Sequence, residues 1–255
     1  MGIRQKLLDV METTCADLGV RHVCIGLGYT AVQLDDHRTG VAYTLGRDSV
    51  AGCSVFVGKR PLAGRRALEL LHYLNSPMPI ESAVGLATAN ALSAGMFAGG
   101  DAGDVLAAVD LQETDRVGMI GFFGPMIDQI EKRVSALEIC DERQLSSLDG
   151  VRPSNEAVDV LAKSTVALIT STTIMNNSID KLLQAAMHCR EVMLVGPSTP
   201  LVPPAFLGTP VTRLSGMIAR DAEGLLRVIH EGGGTRHFSQ YATKWNMRLN
   251  RNQNH

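Results

Sequence analysis

Three stretches of this 255-residue chain carry glycines and side chains that could do chemistry. The first is Gly121-Phe122-Phe123-Gly124, followed at once by Pro125. Glycines let a backbone approach a ligand closely, and a helix opening behind them offers unpaired N–H groups and a partial positive charge. An anionic group would sit above such a turn. The second is Ser171-Thr172-Thr173-Ile174-Met175-Asn176-Asn177-Ser178, which holds more hydroxyl and amide groups than the one or two a helix cap needs. The third is Gly196-Pro197-Ser198-Thr199-Pro200. Asp141 and Glu142 add carboxylates roughly 20 residues beyond the first turn, about where a dinucleotide-binding acid would stand.

The elements that must position these groups follow from the apolar pattern. Residues 117–120 form a short apolar run, the glycine turn follows, and Pro125 opens an amphipathic segment with Met126, Ile127, Ile130 and Val134 on one face. A second apolar run ends at Cys140. Strand, glycine turn, helix, strand and acid is the plan of a nucleotide-type βαβ unit. Its glycines, however, read G-x-x-G-x-x-G (Gly118, Gly121, Gly124), not G-x-G-x-x-G, and Pro125 removes an amide that a pyrophosphate would use. A structural turn, a dinucleotide site and a small-ligand or metal-complex site are the open readings. Val166–Thr170 and Glu191–Val195 read as further strands running into the second and third stretches. In open α/β sheets, ligands bind at the carboxyl ends of such strands.

Ahead of this region, Ile3, Leu7, Leu8, Met11, Cys15 and Leu18 recur at helical spacing, so the chain opens with a helix of about 16 residues. Residues 20–34 read as a strand pair or one bent strand, a turn follows at Asp35-Asp36-His37-Arg38-Thr39-Gly40, and residues 41–45 form the next strand. His22 and Cys24 share a strand face. A metal pair there is conceivable, but a half-buried face is the better reading. Residues 58–64 (GKRPLAG) with Arg65 and Arg66 form a basic, solvated helix start. The helix over residues 80–97 is rich in Ala and Gly, so it packs closely against its neighbours. Its Asn90 either ties helix to loop or faces a ligand. Gly99-Gly100-Asp101-Ala102-Gly103 is the best domain boundary. The expected organisation is therefore an α+β unit over residues 1–100 and a Rossmann-like α/β unit with a parallel sheet over 101–249. Later, Asp221 caps a helix, His188 sits at a helix end, and Gly232-Gly233-Gly234 is a C-cap or an anion nest.

Composition narrows the function classes. Net charge is −2 and aromatics are 4%, which points away from nucleic acid, base-stacking platforms and membrane surfaces. No apolar run is long enough to cross a bilayer, the amphipathic start lacks a signal-peptide pattern, and Lys6 stands where myristoylation needs Ser or Thr. The five cysteines (15, 24, 53, 140 and 189) are odd in number and never form C-x-x-C, which fits a reducing cytoplasm. No local zinc signature and no G-x-S-x-G nucleophile motif occurs. The acid–base candidates for an enzyme are Glu81, Asp141, Glu142, Asp180 and His237, and no spacing singles one out. A homodimer is the expected assembly.

Five segments together resemble one family: PLAGRRALELLHYLNSPMPIESAVGLATANAL, VGMIGFFGPMI, ITSTTIMNNSIDKLL, GPSTPLVPPAFLGTPVTRLSGMIARD and HEGGG. In that order they are similar to the DUF364 family, described as a heavy-metal chelation domain, with a DUF4213 domain in front. The resemblance implies an enolase N-terminal-like α+β domain followed by a Rossmann-like domain. It also implies a ligand cleft between them lined by Asn90, by Gly121, Gly124 and Pro125, by Thr172, Thr173, Asn176 and Asn177, and by Gly196, Pro197 and Ser198. None of these is a strong metal ligand alone. A bound metal would use oxygen ligands such as Asp141 or Glu142, or would arrive inside an organic chelator. The function expected is metal or metal-complex binding in that cleft. The alternative is an enzyme acting on a small anionic substrate with a nucleotide-type cofactor at the glycine turn.

Overall fold

The computed structural model describes residues 1–45, 56, 58–142 and 150–250. Helix α1 (Ile3–Thr14) opens the chain and buries Ile3, Leu7, Leu8 and Met11 of the expected stripe, but at 12 residues it is shorter than expected and ends before Cys15 and Leu18. Strands β1 (Val20–Ile25), β2 (Tyr29–Leu34) and β3 (Thr39–Tyr43) make an antiparallel meander. After α2 (Ala67–Leu71) comes α3 (Pro79–Ser93), whose side chains from Ile80 onward are all buried. A helix buried on every side has no polar face to show, hence its run of Ala, Gly, Ser and Thr. It lies against β3 so closely that a Cβ on Gly40 would stand 2.2 Å from both the Ala87 carbonyl oxygen and the Ala91 nitrogen. Glycine is required there for contact, not for turning.

The meander is covered on both faces. Val20, Val32 and Leu34 join α1 and α3 in the main core. Cys24, Ala31 and Val41 pack against Leu225, Leu226, Ile229 and Phe238 from the far end of the chain. β2 therefore shows no apolar–polar alternation, because both faces are inside.

The second sheet is built from β4 (Asp101–Ala102), β5 (Arg116–Ile120), β6 (Ala136–Asp141), β7 (Val151–Pro153), β8 (Val166–Thr170), β9 (Glu191–Val195), β10 (Arg213–Ala219) and β11 (Ala242–Arg248). Its order is β4-β11-β10-β9-β8-β5-β6-β7. From β7 through β10 the strands are parallel, while β11 and β4 add antiparallel at one edge. Counted from β5, the parallel part has the doubly wound order 3-2-1-4-5-6, with its reversal between β5 and β8. The connecting helices are α4 (Gly124–Glu131), α5 (Ala157–Ala162), α6 (Thr172–Met175), α7 (Ile179–Ala185), α8 (Ala222–His230) and α9 (Thr235–Phe238). Asp221 caps α8 as expected, accepting from the Gly224 N–H at 3.0 Å.

Three strands were not legible in the sequence. β4 and β7 are two and three residues long. β11 (ATKWNMR) is more polar than its neighbours, yet it pairs with β10 along its whole length. Between β4 and β5 the chain makes one 3-10 turn, Val105–Ala107, capped by Asp104. Cys53 lies outside the described residues, as do the loop over 143–149 and the end beyond Asn250.

Candidate functional site

The carboxyl ends of β5, β8 and β9 lie side by side, so the three stretches singled out above form one edge of the sheet. The β5 turn depends on Gly121. Its φ is +94°, its N–H donates to the Cys140 carbonyl at 2.7 Å, and an added Cβ would meet Thr170 carbons at 2.9 Å. Gly124 begins α4 and Pro125 follows in its first turn, where a missing N–H costs nothing. Asp141 stands beside this turn, as a dinucleotide-binding acid would. It is 9% exposed and accepts the Phe122 N–H at 2.8 Å. The acid thus braces the turn.

Two further side chains close over the same turn. Glu142 follows β6 and Asn176 follows α6, on opposite sides of β5, and the Asn176 amide donates to the Glu142 carboxylate at 2.5 Å. The pair spans the point where the strand order reverses. Phe123 packs beside the same turn. A Cβ at Gly121 would sit 3.7 Å from one of its ring carbons, and a Cβ at Gly196 would sit 3.9 Å from another, so this ring links the first and third turns. In the sequence Phe123 stands only as a turn residue. The signal was there: two adjacent aromatics between glycines, in a chain with 4% aromatics.

The hydroxyl-rich stretch spends much of its capacity on itself. Ser171 and Thr199 share a buried hydroxyl–hydroxyl bond of 2.8 Å. Thr173 donates to the Thr170 carbonyl at 2.6 Å, and Thr172 bonds the Thr170 hydroxyl at 3.0 Å. Asn176 Oδ1 accepts from the Ser178 N–H and hydroxyl. Asn177 holds a left-handed φ of +60°, which its short amide side chain tolerates. Asn176 and Asn177 remain exposed at the surface. Arg4 was not anticipated. From α1 it donates to the Ile174 carbonyl at 2.7 Å and also to the Met175 carbonyl, capping the end of α6.

The third turn joins the two halves of the chain. Gly196 is at φ +112° and Pro197 is half-buried. Ser198 is buried, its hydroxyl accepts the Tyr43 N–H at 2.8 Å, and its carbonyl accepts the Asn90 amide at 3.3 Å. Asn90 also donates to the Val41 carbonyl at 2.7 Å. Asn90 thus ties α3 to β3 and to the β9 turn, and among the described residues its buried Oδ1 has no hydrogen-bond partner. Of the remaining acid–base candidates, Glu81 is buried and accepts the Gly58 N–H and the Ser76 hydroxyl. Asp180 accepts the Ile3 N–H, and His237 is exposed on α9.

Do these residues fit a chelated heavy metal? Among the described residues, no group of three or more His, Cys, Asp or Glu side chains is placed to hold an ion. His22 is exposed while Cys24 is buried, so the strand-face reading of that pair stands. Burial pushes the Cys24 and Cys140 thiols up to about 11, which leaves them protonated at neutral pH. Among the described residues, direct capture by a His–Cys–carboxylate cluster does not fit.

Fold and site together define a two-unit α/β protein whose parallel sheet presents its carboxyl edge to an antiparallel meander and a buried helix. The chain belongs to the DUF364 family, described as "Putative heavy-metal chelation", whose pattern matches residues 104–248. The DUF4213 pattern, with the same description, matches residues 8–93. An uncharacterized protein of Methanocaldococcus jannaschii is 23% identical over 256 residues, spanning 97% of this chain and 96% of that protein. A DUF364 protein of unknown function from Pyrococcus horikoshii shares the fold at TM-score 0.85 and 21% identity, over 97% of this chain and all of that one. Another, from Desulfitobacterium hafniense, does so at 0.79 and 19%, over 96% and 98%. Among the described residues, no helix is long and apolar enough to cross a membrane.

Proposed function

We propose that this protein binds a small ligand, a metal held in an organic chelate, at the carboxyl edge of β5, β8 and β9 where it meets β3 and α3. The observation that carries the reading is the Asn176–Glu142 bond beside Asp141, which sets oxygen and amide groups across the strand-order reversal. Open parallel sheets take their ligands at that point. Oxygen and amide groups suit a hydroxylated or carboxylated chelator, and the family description supplies the metal. A chelate also removes the need for a soft-ligand cluster in the cleft.

A nucleotide-dependent enzyme is the second reading, favoured by the 3-2-1-4-5-6 order and by the position of Asp141. Against it, Pro125 offers no amide, Phe123 spans from Gly121 to Gly196, and Asp141 already accepts a turn amide. That turn suits a pyrophosphate poorly. Native mass spectrometry with elemental analysis, on protein purified without an affinity tag or chelator, separates the two readings. An added mass that contains metal supports the chelate, and a metal-free added mass supports the nucleotide. A protein that neither carries a mass nor is stabilised by any added chelate refutes the proposal.

A further inference from the structure

We propose that Cys15, Met11 and Met96 form a binding site for a soft monovalent d10 ion, cuprous or silver, separate from the cleft. Three sulfur atoms converge here. Cys15 Sγ lies 3.4 Å from Met11 Sδ and 3.5 Å from Met96 Sδ. Two independent elements bring them together. The end of α1 places Met11 and Cys15 four residues apart on one face, with the Cys15 N–H donating to the Met11 carbonyl at 2.9 Å. A turn after α3, closed by the Met96 N–H on the Ser93 carbonyl at 3.0 Å, delivers Met96.

Thiolate and thioether donors select soft ions such as cuprous copper. Metal–sulfur bonds of about 2.3 Å in a planar trigonal site put the sulfurs about 4 Å apart. The two observed spacings are therefore about half an ångström short, an expansion that the unbranched methionine side chains supply by torsion. Met11 is fully buried, while Cys15 and Met96 are half-exposed, so an ion reaches the thiol from the surface. Burial raises the Cys15 thiol, opposed by the Thr14 hydroxyl and the Arg38 guanidinium. An ion therefore replaces a proton: the S–H bond breaks, a metal–sulfur bond forms, and the proton leaves to solvent. Charge selects the valence. A thiolate with a monovalent ion is neutral, whereas a divalent ion would leave a net positive charge beside Arg38. The site does not depend on the cleft reading: Met11 and Cys15 lie at the end of α1 and Met96 in the turn after α3, and none of the three is a cleft residue described above.

The test is titration of the full chain with silver(I), and with copper(I) under anaerobic conditions, against a competing chelator. The proton release and the thiolate-to-metal absorbance are followed. One tight equivalent releasing one proton is expected, abolished in Cys15→Ser. Met96→Leu and Met11→Leu keep every thiol and nearly the same volume, and each should weaken binding about tenfold or more. Unchanged affinity in Met96→Leu, or a tight equivalent surviving in Cys15→Ser, overturns the site. X-ray absorption on the loaded wild type needs no variant: an all-sulfur shell of three supports the site, and a shell with nitrogen or oxygen donors overturns it.

Discussion

Asp115→Asn tests how the sheet is held so that its functional edge stays put. Asp115 lies at the amino end of β5, 3% exposed, and its carboxylate takes four bonds. Arg190 donates its Nε at 3.0 Å and a second guanidinium nitrogen besides, the Thr165 hydroxyl donates at 2.8 Å, and the Gln112 N–H donates at 2.8 Å. Thr165 precedes β8 and Arg190 precedes β9, so one carboxylate fastens the starts of three adjacent strands. Burial alone would raise this carboxyl. Arg190, the Gln112 amide and the Thr165 hydroxyl outweigh it and hold the group below the usual carboxylate range. Asparagine keeps the shape, loses the charge, and turns an NH2 toward donors. Hydrogen bonds to a charged group are worth about 1.5–3 kcal/mol, and Arg190, partly in water, recovers some of the loss. A destabilisation of about 2–3 kcal/mol is expected, with a fall in Tm of about 4–12 °C for a chain of this size. The pH dependence has a definite sign. The folded carboxyl lies below its unfolded value of about 3.9. Its contribution is therefore full above that pH and disappears as pH falls through the folded value. Thermal melts of both proteins from pH 7 to pH 3 should show a gap that is widest at pH 7 and narrows below about pH 4. A gap under about 2 °C at pH 7, or one that stays constant down to pH 3, refutes the reasoning.

Other expectations concern the site edge. Ser198→Ala leaves the Tyr43 N–H without its acceptor and should cost roughly 1–3 kcal/mol, measured by urea unfolding. Gly121→Ala forces an L side chain to φ +94° and into Thr170 at 2.9 Å, so a loss of at least about 2 kcal/mol in the same assay is expected. Asn176→Ala combined with Asn177→Gly removes both exposed amides while respecting the left-handed residue 177, and should change Tm by no more than a few degrees.

The sequence spoke most clearly where apolar period and glycine punctuation agreed. Val166–Thr170 and Glu191–Val195 are strands with those limits, and the glycine turn, Pro125 and Asp141 hold the relative places their spacing implied. The convergence of three strand ends was legible too, because carboxyl ends of neighbouring parallel strands must share an edge. What was hidden was contact across long separations. That Ser198 joins Tyr43 to Asn90, that Arg4 caps α6, and that Phe123 spans two turns are facts of packing between segments far apart in the chain. No local pattern encodes them. In the hydroxyl-rich stretch composition suggested a surplus for a ligand, and its spacing could not show that Ser171 bonds Thr199 while Thr172 and Thr173 bond Thr170. The sulfur cluster escaped because Met11 and Cys15 read as helix core and Met96 as the tail of a helix.

The central claim is that the edge formed by β5, β8 and β9 takes a small ligand through Asn176 and its neighbours. The most direct measurement compares native mass spectra of wild type and of the Asn176→Ala, Asn177→Gly protein, prepared side by side without tag or chelator and checked for equal folding by circular dichroism. The account predicts a noncovalent mass on the wild type that is absent from the variant. Identical spectra for two folded proteins would contradict it.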